Sequence, residues 1–170
     1  MNRGKGRVPL LLAVTMILTA IPAFADHRIG AGIHHWQTVD DLADEGFEDL
    51  DSEGTSGIVS YQYMPEGIFS LELDLEYFAD GFAGSTERAL SPQAYVLVGH
   101  GLYAGAGVGV THSDGETSDM FYAARLGFDI SIIPRLSVDV NANYRFDDWS
   151  LIDDVKTDTV TLGALLRVRL

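Results

Sequence analysis

Ile68-Phe69-Ser70-Leu71-Glu72-Leu73-Asp74-Leu75-Glu76-Tyr77 alternates without a break. Phe69, Leu71, Leu73, Leu75 and Tyr77 fall on one side of an extended chain, and Ser70, Glu72, Asp74 and Glu76 fall on the other. Side chains alternate with period two in a strand, whereas a helix would scatter the same residues around its axis. The stretch is therefore a β-strand with one apolar and one acidic face. Leu136–Asp147 repeats the pattern, with Leu136, Val138, Val140, Ala142, Tyr144 and Phe146 against Ser137, Asp139, Asn141, Asn143, Arg145 and Asp147. Thr159–Leu170 sets Val160, Leu162, Ala164, Leu166, Val168 and Leu170 on one side, and Met120–Ile132 opposes an apolar row to Arg125 and Asp129. Arg28–Gln37 and Gly57–Met64 alternate less cleanly, and Ala89–Val98 and Leu102–Thr111 are rich in small residues. No stretch after Asp26 reads as an amphipathic helix. The chain is all-β, with about eight strands of roughly ten residues, the length a tilted membrane strand needs.

The connections alternate too. Met64-Pro65-Glu66-Gly67, Gly99-His100-Gly101 and Ile133-Pro134-Arg135 read as tight turns, while 38–56, 79–88, 112–119 and 147–157 are longer and polar. Short turns on one rim and long loops on the other mark an eight-stranded antiparallel up-and-down transmembrane β-barrel. Alternation alone does not say which face points out. A soluble lipocalin-type barrel is apolar inside and a membrane barrel is the reverse. Charge decides. The polar faces collect Glu72, Asp74, Glu76, Asp129 and Asp139 together with Arg28, Arg125, Arg145, Arg167 and Arg169. A closed lumen has reason to balance its charges, because an unpaired buried charge costs several kcal/mol. A solvated face has none.

The chain has 170 residues, no cysteine, and a formal charge of −14 from 11 basic and 25 acidic residues. Arg3, Lys5 and Arg7, the apolar run Val8–Ile21 and Ala23-Phe24-Ala25 compose a cleaved secretory signal peptide over residues 1–25. The barrel domain is 26–170, with eight basic residues against 25 acidic, a formal charge of −17. Such a chain makes a poor partner for nucleic acid, which needs basic contacts. Without cysteine, disulfides, thiolate metal sites and cysteine nucleophiles are excluded. An even strand count puts both ends of the mature chain on the short-turn side, the periplasm, with the loops facing outward.

Aromatic residues gather at strand ends: Trp36, Tyr77, Phe78, Phe121, Tyr122, Tyr144, Phe146 and Trp149 toward the long loops, and Tyr61, Tyr63, Phe69 and Phe128 toward the tight turns. Two interfacial girdles are the expectation. On these features the whole mature chain resembles the small eight-stranded outer-membrane β-barrels typified by OmpA, OmpX and the neisserial opacity proteins. Thr161-x-Gly163-x-x-Leu166-x-Val168 is similar to the C-terminal signal read by the barrel-assembly machinery, which the resemblance implies as a partner during biogenesis. Where that family ends in Phe, this chain ends in Leu170. The resemblance is one of architecture and carries little about activity.

No catalytic residue, cofactor or metal site is assigned from the sequence. Some barrels the chain resembles act on lipid A, and the deacylase kind carries His-x-Ser on a strand. Here His112 is followed directly by Ser113, on the opposite face, and His-x-Ser occurs nowhere. The acidic first loop includes Asp49-Leu50-Asp51-Ser52-Glu53-Gly54, which resembles the start of an EF-hand loop, but Ser60 stands where the closing Glu belongs. Its sharper role is divalent-cation bridging to lipopolysaccharide. Gly105, Gly107 and Gly109 share one face and, if that face is the lumen, make space for arginines such as Arg125. Pro92 is expected near the loop end of its strand, at a bulge, because it lacks a ladder donor. Counting outward from the Pro134 turn sets Asp129 opposite Asp139, which then need a cation from Arg28, Arg167 or Arg169. A second layer sets Glu72, Asp74 and Glu76 against Arg125 and Arg145. The expected function is that of a monomeric, non-enzymatic outer-membrane barrel for envelope structure or surface interaction, in contact with outer-membrane lipid and lipopolysaccharide. The rivals are a lipid A-modifying enzyme, a narrow solute channel and a soluble periplasmic barrel holding an apolar ligand.

Overall fold

In the computed structural model, residues 25–38, 53–79, 87–113, 116–118, 120–146 and 159–170 are described. Residues 1–24 of the expected signal peptide, most of the first loop and Trp149 lie outside them. The strands are β1 (Asp26–Thr38), β2 (Glu53–Met64), β3 (Phe69–Phe78), β4 (Ala89–His100), β5 (Leu102–Gly109), β6 (His112–Ser113), β7 (Glu116–Thr117), β8 (Phe121–Ile133), β9 (Leu136–Phe146) and β10 (Thr159–Arg169). All pairings are antiparallel. The order β3-β2-β1-β10-β9-β8-β5-β4 returns through a β3–β4 pairing, so the sheet closes on itself as an eight-stranded barrel. β6 and β7 pair with each other beyond it, and β6 continues the β5 register along β4, Gln93 facing Gly109 and Leu90 facing His112. The segment expected as a loop over 112–119 is thus partly an extended hairpin. Likewise β2 begins at Glu53, inside the expected first loop.

Inside and outside follow the alternation. Along β3 every odd-numbered residue is exposed and every even-numbered one is buried. Leu73 is 57% exposed and Val140 49%, while Glu72 and Asp139 are 0% exposed. The apolar face lies outside and the charges lie within, so the interior is polar, as in a membrane barrel and opposite to a lipocalin-type barrel.

The turns are tight for local reasons. Gly67, Gly99 and Gly101 hold positive φ, which other residues adopt at a steric cost. A methyl on Gly99 would also strike the Leu102 backbone.

Pro92 sits in β4 without a bulge. It faces Leu75 on one side, and on the other its carbonyl accepts from Val110 N at 3.2 Å. In a hydrogen-bonded antiparallel pair the return bond would run from residue 92 to the Val110 carbonyl. Proline has no N–H to give. Ser91 Oγ donates to that carbonyl instead, at 3.1 Å. The expected bulge is therefore absent because a neighbouring hydroxyl supplies the missing donor.

Candidate functional site

The residues that crowd the lumen come mostly from polar-face positions, and β3 is their hub. Glu72, Asp74 and Glu76 stack along its inner side. Each is met by arginines from strands three or four positions away round the ring, so the bonds cross the barrel. Arg125 of β8 donates Nη1 to Glu72 Oε1 at 2.9 Å and Nη2 to Asp74 Oδ2 at 2.7 Å. From β10, Arg167 donates to both oxygens of Glu72, at 2.7 and 2.8 Å. This fork-to-fork geometry is the strong form of a charge-assisted pair. Gln62 adds a third donor to Glu72 at 3.0 Å.

Toward the long-loop end, Glu76 accepts from Gln93 Nε2 at 2.7 Å and from Ser56 Oγ, with Arg145 Nη2 at 3.3 Å and His34 Nδ1 at 3.0 Å. Toward the tight-turn end, Asp139 accepts from Tyr103 at 2.7 Å and from Asn141 at 2.7 Å, with Arg167 Nη2 at 3.3 Å. Asp129 accepts from Arg28. Asp129 and Asp139 stand directly opposite each other in the β8–β9 ladder. They are held by different arginines.

The expected two layers are not separate. Arg167 touches both Glu72 and Asp139, so the two layers are joined there, with the Arg145–Glu76 pair toward the long loops and the Arg28–Asp129 pair toward the tight turns. Arg169 belongs to neither layer; it lies 3.5 Å from Asp26 at the mouth, where both are about half exposed. His34, 1% exposed, joins Arg145 on Glu76, a partner the expected layers did not include. Arg28, Arg125, Arg145 and Arg167 face the five carboxylates Glu72, Asp74, Glu76, Asp129 and Asp139.

Aromatic rings line the same space. Arg125 lies over Tyr95 at 3.7 Å and Arg145 over Phe121 at 4.0 Å. Such stacking adds to a desolvated guanidinium's partners. Trp36, Phe78 and Phe121 were expected in the outer girdle. They are buried, with Trp36 and Phe78 packed edge to face at 6.4 Å. The reason is parity: Phe78 follows Tyr77 and Phe121 precedes Tyr122, and neighbours in a strand face opposite ways. Tyr77 and Tyr144 remain exposed on the outer side, as do Phe69 and Phe128 at the other rim. The glycines of β5 face inward, but they make room for rings and an aliphatic side chain: a methyl would overlap Leu97 at Gly105, Tyr95 at Gly107 and Phe121 at Gly109. They serve Arg125 through Tyr95.

His34, Ser56, Gln62, Gln93, Tyr95 and Tyr103 were not singled out in the sequence. For His34 the signal was its parity with Arg28 in β1. Strands β4 and β5 carry no Asp, Glu, Lys or Arg, and Glu53 of β2 has the opposite parity, so Ser56, Gln62, Gln93, Tyr95 and Tyr103 had no charged neighbour in their own strand to mark the inward face. Ser56, His34 and Glu76 converge, yet both Ser56 and His34 bond to Glu76 and are buried. An activated serine needs its base on the hydroxyl, and this trio does not make that contact. Ser60, proposed for the closing position of an EF-hand-like loop, is buried in mid-strand, and Glu53 and Gly54 are already strand. A calcium loop from Asp49 to Ser60 cannot form across an extended segment. Among the described residues no group of three or more His, Asp or Glu is placed to hold a metal ion.

Solved structures share this architecture. Neisserial surface protein A superposes with a TM-score of 0.60 at 14% identity, covering 87% of this chain and 98% of that one. The fold is that of a small outer-membrane β-barrel. The outer membrane protein OprG from Pseudomonas aeruginosa superposes with a TM-score of 0.50 at 14% identity, covering 85% of this chain and 93% of that one. No protein-family model and no curated protein matches the sequence.

Proposed function

We propose that this chain is a non-enzymatic outer-membrane barrel whose lumen is closed by its own ion pairs and whose acidic loops form a surface on the cell exterior. The carrying observation is the set of arginines from β8, β9 and β10 that reach across the barrel to β3. An eight-stranded barrel has an interior just wide enough for side chains to fill, and here they are bonded through the middle. The barrel is thereby an anchor, and interaction falls to the loops, with the first rich in Asp and Glu between Asp40 and Asp51. Divalent cations would link those carboxylates to lipopolysaccharide phosphates, since bare carboxylates repel them. The apolar outer face and the likeness to outer-membrane barrels support the compartment; the barrel-assembly machinery would insert the chain, and it would work as a monomer.

Fractionation, heat-modifiability on a gel and single-channel recording from the purified protein in planar bilayers test this together. The expected result is an outer-membrane, heat-modifiable protein with no steady conductance. Recovery in the soluble periplasm overturns the compartment, and a stable conductance establishes the channel. Mass spectrometry of lipid A from a deletion strain shows an unchanged profile on this reading and an altered one if the barrel is a lipid A enzyme.

A further inference from the structure

Three arginines stand in one row across adjacent strands at the short-turn mouth. Arg28 of β1 faces Arg169 of β10 in the ladder, and Arg169 N donates to the Arg135 carbonyl at 2.9 Å, which sets Arg135 beside it in the turn before β9. Arg28 and Arg169 have lumen-side parity, and Arg135 is an exposed turn residue just before β9. Like charges directly opposed in a sheet destabilise each other, and this chain is otherwise strongly acidic, so a row of three guanidiniums is not a chance of composition. Two acids lie nearby. Asp129 is taken by Arg28, and Asp26 lies 3.5 Å from Arg169. Leu170, 70% exposed on the outer face, does not line the space between the arginines.

That space is a cleft of about 340 Å³. Its polar lining is Arg28, Arg135, Arg169, Ser131 and Ser137. Ser131 and Ser137 face each other across the β8–β9 ladder. Guanidinium forks match the oxygens of a phosphate two at a time, and serine hydroxyls serve its remaining oxygens. Ile132, Ile133 and Pro134 form an apolar edge to the same cleft, and both isoleucines are exposed. A charged floor beside an apolar edge suits a phosphate at a membrane surface.

We propose that the short-turn mouth is a phosphate-binding site, with Arg135 and Arg169 as its principal donors and Ser131 and Ser137 at its side. The phosphate comes either from the headgroup of a lipid in the adjoining leaflet or from a soluble phosphate. Which compartment the mouth faces rests on the function proposed above; the binding chemistry does not.

The test uses the folded barrel in maltoside micelles, which contain no phosphate, with arginine Nε–Hε resonances followed by NMR. Inorganic phosphate, glycerol phosphate and short-chain phosphatidylglycerol are titrated separately, against sodium chloride at matched ionic strength. The expected result is a saturable shift of Arg135 and Arg169 with the phosphates and not with chloride. Arg135→Gln and Arg169→Gln should each weaken binding by about tenfold, the loss of one charge-assisted hydrogen bond. Both substitutions lie at the mouth outside the buried ion pairs, and heat-modifiability verifies the fold of each variant. A lipid source makes phosphatidylglycerol about tenfold or more tighter than glycerol phosphate, through the isoleucine edge; a soluble source makes the two equal. The proposal is overturned by no saturable shift with any phosphate, by an equal response to chloride, or by unchanged affinity in both variants. Because the measurement is made on purified protein, its failure leaves the compartment test standing, and the reverse also holds.

Discussion

Ser91 and Pro92 show how much a single position depends on its neighbour. Proline in a closed barrel leaves the Val110 carbonyl without its ladder donor, and the Ser91 hydroxyl fills the gap from one residue away. Thr111 Oγ1 donates in turn to Ser91 Oγ at 3.2 Å. Removing the hydroxyl with Ser91→Ala should cost about 1 kcal/mol, the loss of one hydrogen bond to a part-buried acceptor. In a Pro92→Ala background the backbone N–H returns to the same carbonyl, so Ser91→Ala should cost clearly less. A double-mutant cycle by urea unfolding in lipid vesicles measures that coupling; equal costs in both backgrounds would refute the substitution of donors. Pro92 was conspicuous in the sequence as a residue out of place. Its remedy was not, because a hydroxyl at position 91 gives no sign of which carbonyl it serves until the register with Val110 is known.

At the level of the element, β3 is both the clearest strand in the sequence and the hub of the interior. Glu72 receives two guanidiniums and an amide, so Glu72→Gln should cost about 3–5 kcal/mol, the range for breaking a buried ion pair. Asp74 shares one arginine with Glu72, and Asp74→Asn should cost less. Denaturant titration of the two variants in the same vesicles gives the order. On β5, Gly107→Ala drives a methyl into the Tyr95 ring that backs Arg125, and overpacking of this kind costs about 1–3 kcal/mol; combining it with Tyr95→Leu should recover part of the loss. The strands themselves were legible because alternation is a local signal repeated along each one. The cross-barrel partners were less so. Neighbouring strands can be counted out from a tight turn, which brought Asp129 and Asp139 face to face on paper. Arginines from strands across the barrel reach β3 by side-chain length, and nothing in the spacing of Arg167 says that it spans to Glu72. Trp36, Phe78 and Phe121 were misplaced for a different reason: their parity is a local signal, and their clustering at strand ends was read without it.

For the molecule as a whole, the two faces make opposite demands on the same side chain. Leu73→Arg and Val140→Arg put a charge on the outer apolar surface and should each cost about 2–4 kcal/mol near the bilayer midplane. Ser70→Arg and Asn141→Arg enter the polar interior and should follow local crowding, with no dependence on depth in the bilayer. Folding titrations into vesicles of different thickness separate the two behaviours, and equal tolerance on both faces would contradict the orientation described here. That orientation was readable in advance from charge balance, since acids and arginines shared one parity.

The crossing bonds also set a timetable. The arginines that satisfy β3 lie 51 to 95 residues farther along the chain than the carboxylates they meet. Early hairpins such as β2–β3 therefore form with their acids answered only by the neutral donors Gln62 and Ser56, and the charges must stay hydrated. Long-range contacts are made late, because loop-closure entropy has to be overcome first. Water can leave the interior only when the C-terminal strands swing in beside β1 and deliver their guanidiniums together. Substituting a β3 carboxylate should accordingly speed unfolding and leave the folding rate nearly untouched, as for any interaction absent from the transition state. Folding and unfolding rates of the β3 variants test this order, in which ion pairing across the interior is the last act of assembly and the ring is held shut by the bonds that form latest.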